Sequence, residues 1–217
     1  SNTDQFNVTF KSNNISAIDL SNNSLTYILT SNLPLSLTSL IFTNNQLTSF
    51  DPTYALPSSL TYLSLYNNAL TTFNPSIALP NSLHTLSLVN NQLASFDPSL
   101  PLPSSLQGLN IDSNNLTTFS PTLPLPSSLK QLLLYGNQLT TFNTNALTDS
   151  LINLSIASNQ LPTSVINSVL IAADTKYTAV RSIAFTMNSQ NPLAPPSGAG
   201  ITAKTDLAAK GYTVTTD

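Results

Sequence analysis

The sequence predicts a β-dominated α/β repeat solenoid, with a parallel sheet along one side and extended chain along the other. Three observations lead there. A 14-residue pattern recurs seven times, starting at Ile15, Leu37, Leu60, Leu83, Leu106, Leu129 and Leu151, at intervals of 22 or 23 residues. A fixed period in this range marks a stacked array whose units are single supersecondary elements. Inside each copy the apolar residues first alternate, which is strand periodicity, and an Asn then follows at a constant offset.

Ahead of the first copy, Phe6 to Phe10 (FNVTF) alternates and is expected to be a capping strand within residues 1–14. The copies occupy residues 15–164 and read LxxLxLxxNxLxxF. In a strand the side chains alternate between faces. Ile18/Leu20, Leu40/Phe42, Leu63/Leu65, Leu86/Leu88, Leu109/Ile111, Leu132/Leu134 and Leu154/Ile156 are therefore expected to point inward. One copy cannot bury its own apolar face, so stacked neighbours must build a shared core. A second apolar pair follows, Leu25/Ile28, then Leu47/Phe50 and onward to Leu139/Phe142, and its phenylalanines should stack as a spine. The spine stops at Ser164, where the solenoid is expected to end.

Two proline columns separate the copies. Pro52, Pro75, Pro98 and Pro121 follow Asp, Asn or Ser; Pro34, Pro57, Pro80, Pro103 and Pro126 lead into the next strand. Proline lacks an N–H and fixes φ, so this side should be extended or polyproline-like rather than helical. Residues 165–217 leave the pattern and are expected to form a helix–strand–helix–strand cap. Val165, Ile166, Val169 and Leu170 share a helical face behind Ser164, a candidate helix cap. Ile183 to Met187 alternates like a further strand of the sheet, and Asn191 to Gly200 is a loop by composition. ITAKTDLAAK reads as a helix ending at Gly211, and YTVTT as a last strand.

From Ile15 to Leu161 the chain resembles the leucine-rich-repeat family, in its short bacterial-type form, on seven in-phase copies of LxxLxLxxNxLxxF. The resemblance implies a horseshoe with a concave parallel sheet. It also implies that Asn23, Asn45, Asn68, Asn91, Asn114, Asn137 and Asn159 bond backbone groups of their own and adjacent repeats, a structural duty. The run GAGITAKTDLAAKGYTVTTD is similar to closing segments of some bacterial and phage surface proteins.

Composition narrows the role. Only 7% of residues are charged, Glu is absent, and Asn, Ser and Thr crowd the loops. With a net charge of -3 and no basic stripe, nucleic acid is not an expected partner. No stretch approaches the roughly 18 apolar residues of a membrane span, so membrane insertion is not expected. The opening SNTDQFNVTFKSNN does not read as a signal peptide. Cysteine and Glu are absent and His84 is the single histidine, which leaves no zinc-type cluster and no triad. No cofactor and no enzymatic activity are expected. A surface this poor in charge suits an extracellular, cell-surface or virion setting.

The positions between the apolar ones face outward in three columns, and these vary while the framework does not. Tyr62, Tyr66 and Tyr135, three of seven tyrosines, fall there. With His84, Val89, Asn110 and Asp112 they form the candidate concave binding patch for a protein or glycan, since tyrosine joins a flat apolar body to a polar tip. The expected function is a recognition or adhesion module. Self-association into a surface fibre, tail or filament is the alternative, and an intracellular effector is the third reading.

Overall fold

The computed structural model describes residues 14–28, 32–52, 54–178 and 183–217. The expected capping strand at Phe6–Phe10 lies outside them. In chain order the strands are β1 (Ala17–Asp19), β2 (Ser39–Ile41), β3 (Tyr62–Ser64), β4 (Thr85–Ser87), β5 (Gly108–Asn110), β6 (Thr118–Phe119), β7 (Gln131–Leu133), β8 (Thr141–Phe142), β9 (Asn153–Ser155), β10 (Ala184–Thr186) and β11 (Thr213–Thr215). The helices are α1 (Thr163–Lys176) and α2 (Ala199–Ala209). Nine strands form one parallel sheet in the order β1-β2-β3-β4-β5-β7-β9-β10-β11. Register runs unbroken from Ile18 through Leu40, Leu63, Leu86, Leu109, Leu132 and Leu154 to Phe185 and Val214.

Each strand is short because the chain must turn at both ends. Before it, the second proline column closes a tight turn: the carbonyls of Pro34, Pro57, Pro80, Pro103 and Pro126 accept the N–H of the leucine three residues on, at 3.0–3.1 Å. After it, the backbone takes a left-handed step. Asn22, Asn44, Asn67, Asn90, Ser113, Gly136, Ser158 and Ser189 all have φ between 53° and 66°. Asn and Gly tolerate that region best, which accounts for the Asn-Asn pairs of the early copies.

The inward residues make one continuous core. Phe50, Phe73, Phe96, Phe119 and Phe142 stack with ring centroids 5.8–6.2 Å apart and planes within 14°. Hydrogen-bonded strands are about 4.8 Å apart, so the stack is wider at the phenylalanines and bends with the sheet on the inside. The convex side is extended, as the prolines require, with β6 and β8 pairing in parallel and one short 3-10 turn at Thr144–Ala146. The residues before the first proline column reach across copies. Asp51 accepts the Ser76 N–H and hydroxyl at 2.9 and 2.7 Å, and Asn74 does the same for Ser99.

The Phe stack ends at Phe142, and the parallel sheet runs on past Ser164. β10 and β11 continue the sheet, and α1 and α2 replace the proline segments behind it. The apolar replacement for the Phe spine is Tyr177, Phe185 and Tyr212, with centroids 6.0–6.3 Å apart in a tilted triangle. α1 buries Ile166, Val169, Leu170 and Ala173, one face at helical spacing. Its N-cap is Pro162, without a side-chain capping bond, and Ser164 lies inside the first turn. Pro162 has no side chain to accept a first-turn N–H, and its carbonyl takes those of Val165 and Ile166 at 2.9 and 3.2 Å. α2 buries Gly200, Ala203 and Leu207. Gly200 permits the helix crossing: a Cβ there would lie 2.0 Å from Asn167 Oδ1, which accepts the Ser197 N–H.

Candidate recognition face

The framework asparagines are consumed by structure. In Asn45, Asn68, Asn91, Asn114, Asn137 and Asn159, Oδ1 accepts the N–H of a leucine in the preceding copy at 2.9–3.1 Å. Nδ2 donates to the preceding copy's carbonyl at 2.9–3.0 Å. Gln190 adds a further rung, taking the Leu161 N–H and donating to Ile156 and Met187. A second, exposed ladder runs beside it, Asn90 to Asn67 to Asn44 to Asn22, through side-chain amides. The buried ladder is not available to a ligand without unpairing backbone groups of the core.

What remains is the outward face of the sheet. Its three columns are in register. The first runs Ala17, Ser39, Tyr62, Thr85, Gly108, Gln131 and Asn153; the second Asp19, Ile41, Ser64, Ser87, Asn110, Leu133 and Ser155. The third, one step past the strands, runs Ser21, Thr43, Tyr66, Val89, Asp112, Tyr135 and Ala157. Its carbonyls keep the ladder going: Tyr66, Val89, Asp112 and Tyr135 accept the N–H of Asn44, Asn67, Asn90 and Ser113. Tyr62, Tyr66 and Tyr135 are 36%, 40% and 49% exposed, which is high for rings on a sheet. Val89, Asn110 and Asp112 are half-buried between them.

Asp112 is held on two sides. Its N–H donates to Asn110 Oδ1 at 3.0 Å, and its Oδ1 accepts the Tyr135 N–H at 2.7 Å. Burial nevertheless dominates and raises its carboxyl above the ordinary value, against the lowering by the Tyr135 N–H and Asn110. Asp19 shows the opposite case. Exposed and bonded to the Ser21 hydroxyl and N–H, it lies below the ordinary value.

His84 is a correction to the sequence reading. It is exposed but stands one residue before β4, in a marginal row with Thr61, Gln107 and Lys130, not in an outward column. Its backbone carbonyl accepts the N–H groups of Gln107 and Gly108. Ser64, counted as outward, is buried at 2% exposure and lies 3.2 Å from the Thr43 hydroxyl. The face is also longer than the seven copies implied, since Ala184, Thr186 and Asn188 extend its three columns. The signal was present: Phe185, Met187 and Gln190 match LxLxxN if Gln replaces Asn.

Among the described residues, no group of three or more His, Cys, Asp or Glu is placed to hold a metal. No helix among them is long and apolar enough to cross a membrane. A shallow crevice on the convex side, between Phe96, Pro98, Leu102 and Leu125, has no polar group to orient a ligand.

The Shigella effector LRR domain is similar to this chain, with a TM-score of 0.62 and 24% identity, over 93% of this chain and 81% of that one. The chain has the leucine-rich-repeat solenoid fold. YopM, a leucine-rich effector protein from Yersinia pestis, matches with a TM-score of 0.49 and 30% identity over 59% of this chain. YopM from Yersinia enterocolitica WA-314 matches with a TM-score of 0.37 and 27% identity over 60%. The chain spans about a third of those two molecules, 34% and 35%. No family model matches, and no curated protein does. The architecture is a rigid frame of repeated positions that presents a variable outward face.

Proposed function

We propose that the chain is a non-enzymatic recognition and adhesion module, acting outside the cell or on a virion, that holds a protein or glycan on its concave face. One observation carries this reading. The framework positions repeat nearly unchanged, whereas the outward columns differ from copy to copy and gather three exposed tyrosines around Asn110 and Asp112. Binding energy concentrates on aromatic anchors of this kind. The charge-poor, amide- and hydroxyl-rich surface supports the extracellular setting.

A second reading, an effector bound to a host protein, draws support from the description of the Shigella neighbour as an effector. Pull-down from candidate host surfaces and from host cytosol, followed by the Tyr62→Ala/Tyr66→Ala/Tyr135→Ala variant, tests both. A surface ligand lost in the variant supports recognition outside the cell. A cytosolic partner lost in the variant supports the effector, and a ligand unaffected by the variant removes the concave face from either account. Self-association is read separately by sedimentation velocity, where a defined filament would favour the fibre component.

A further inference from the structure

Parallel, in-register pairing turns each outward position into a straight row repeating at the strand spacing, about 4.8 Å. The third row reads Tyr66, Val89, Asp112, Tyr135. Two exposed rings thus stand three strands apart, roughly 14 Å, with an aliphatic side chain and a carboxylate between them. Asp112 is fixed by the Asn110 and Tyr135 hydrogen bonds. The Asn110 side chain also bonds the Asp112 carboxyl, and a carboxylate and a primary amide each keep hydrogen-bonding capacity beyond that one bond. An acceptor and a donor are therefore held side by side between two ring platforms. Neighbouring hydroxyls, each both donor and acceptor, satisfy such a pair.

Charge narrows the ligand. The three outward columns of the seven copies contain no Lys or Arg, and their acids are Asp19 and Asp112 alone. Lys130 and His84 stand in the row before the strands. A face without cations has nothing to hold sulfate, sialate or phosphate. It also lacks the mixed charges that set register and speed encounter between proteins.

We propose that this row is a track for a neutral oligosaccharide lying across the strands, stacked on Tyr66 and Tyr135 and hydrogen-bonded at Asp112 and Asn110. The assignment rests on the concave-face reading and names its ligand class.

The test is an array of neutral, sialylated and sulfated oligosaccharides of graded length, probed with the wild type, Tyr66→Ala, Tyr135→Ala and, as control, Tyr54→Ala on the connecting segment. Circular dichroism checks that each variant is folded. Neutral chains long enough to bridge both rings should be retained, and single sugars far less. Each concave variant should lose affinity about tenfold, the scale of one aromatic contact, with Tyr54→Ala unchanged. Retention of no neutral glycan, or preference for charged ones, overturns the ligand class. The face reading would then survive if a protein partner is lost in the same two variants. Neutral glycans bound undiminished by both variants overturn the face itself.

Discussion

Asn114 shows how much one side chain does in this molecule. Its Oδ1 accepts the Leu93 N–H at 3.0 Å, and its Nδ2 lies 3.0–3.1 Å from the carbonyls of Leu88, Ile111 and Asp112. All of these bonds are in or near the core, where an unpaired backbone group costs about 1–3 kcal/mol. Asn114→Ala should therefore lower stability by about 3 kcal/mol in urea unfolding, without any change in the outward face. Asp112 two residues earlier has the opposite character. Burial raises its carboxyl pKa, so between the ordinary and the raised value the folded state binds more protons than the unfolded one, and stability falls as pH rises through that window. Asn at this position can still accept the Tyr135 N–H. Asp112→Asn should thus melt higher than the wild type at neutral pH, with the difference vanishing below the ordinary carboxylate range. A residue that costs stability when ionised, on a face whose seven copies carry only one other charge, Asp19, is one the frame does not need.

The elements differ in how far the sequence exposes them. Strands β1 to β5, β7 and β9 follow from alternation, because each inward apolar residue meets its counterpart one period away. The left-handed step after each strand was not recognised, although Asn44, Asn67 and Asn90 sit where that backbone favours Asn. The start of α1 differs from the serine-cap expectation: the helix opens at Thr163 behind Pro162, with Ser164 inside its first turn. Packing of α1 on α2 could not be read at all, since Asn167 and Ser197 are 30 residues apart with no periodic relation. That contact gives a sharp expectation. Gly200→Ala must push Asn167 aside and free the Ser197 N–H. A loss of about 1–3 kcal/mol is expected, seen as faster hydrogen exchange in α1 and α2 while the middle strands keep their protection.

Across the whole molecule, each coil contacts only its neighbours, so stability is close to a sum of coil and interface contributions. At the C-terminal end the Asp217 carboxylate accepts the N–H groups of Ser189, Gln190 and Ala194, tying β11 to the last turn. Asp217→Ala should speed exchange of those three amides by roughly tenfold or more, the loss of about one net charge-assisted bond, and leave β4 and β5 unaffected. The sequence by itself determined the seven coils, the inward and outward sets and the extended convex side, because a repeated neighbour makes every contact local in the period. It also placed Tyr62, Tyr66 and Tyr135 on one face. Only the tertiary structure decided that Gln190 acts as a rung, that Ser64 is buried and that His84 stands off the strands. It alone set the environment of Asp112 between Asn110 and Tyr135. These depend on what lies across from a residue in space, and where the period fails or a column changes its residue, the chain carries no local copy of that neighbour.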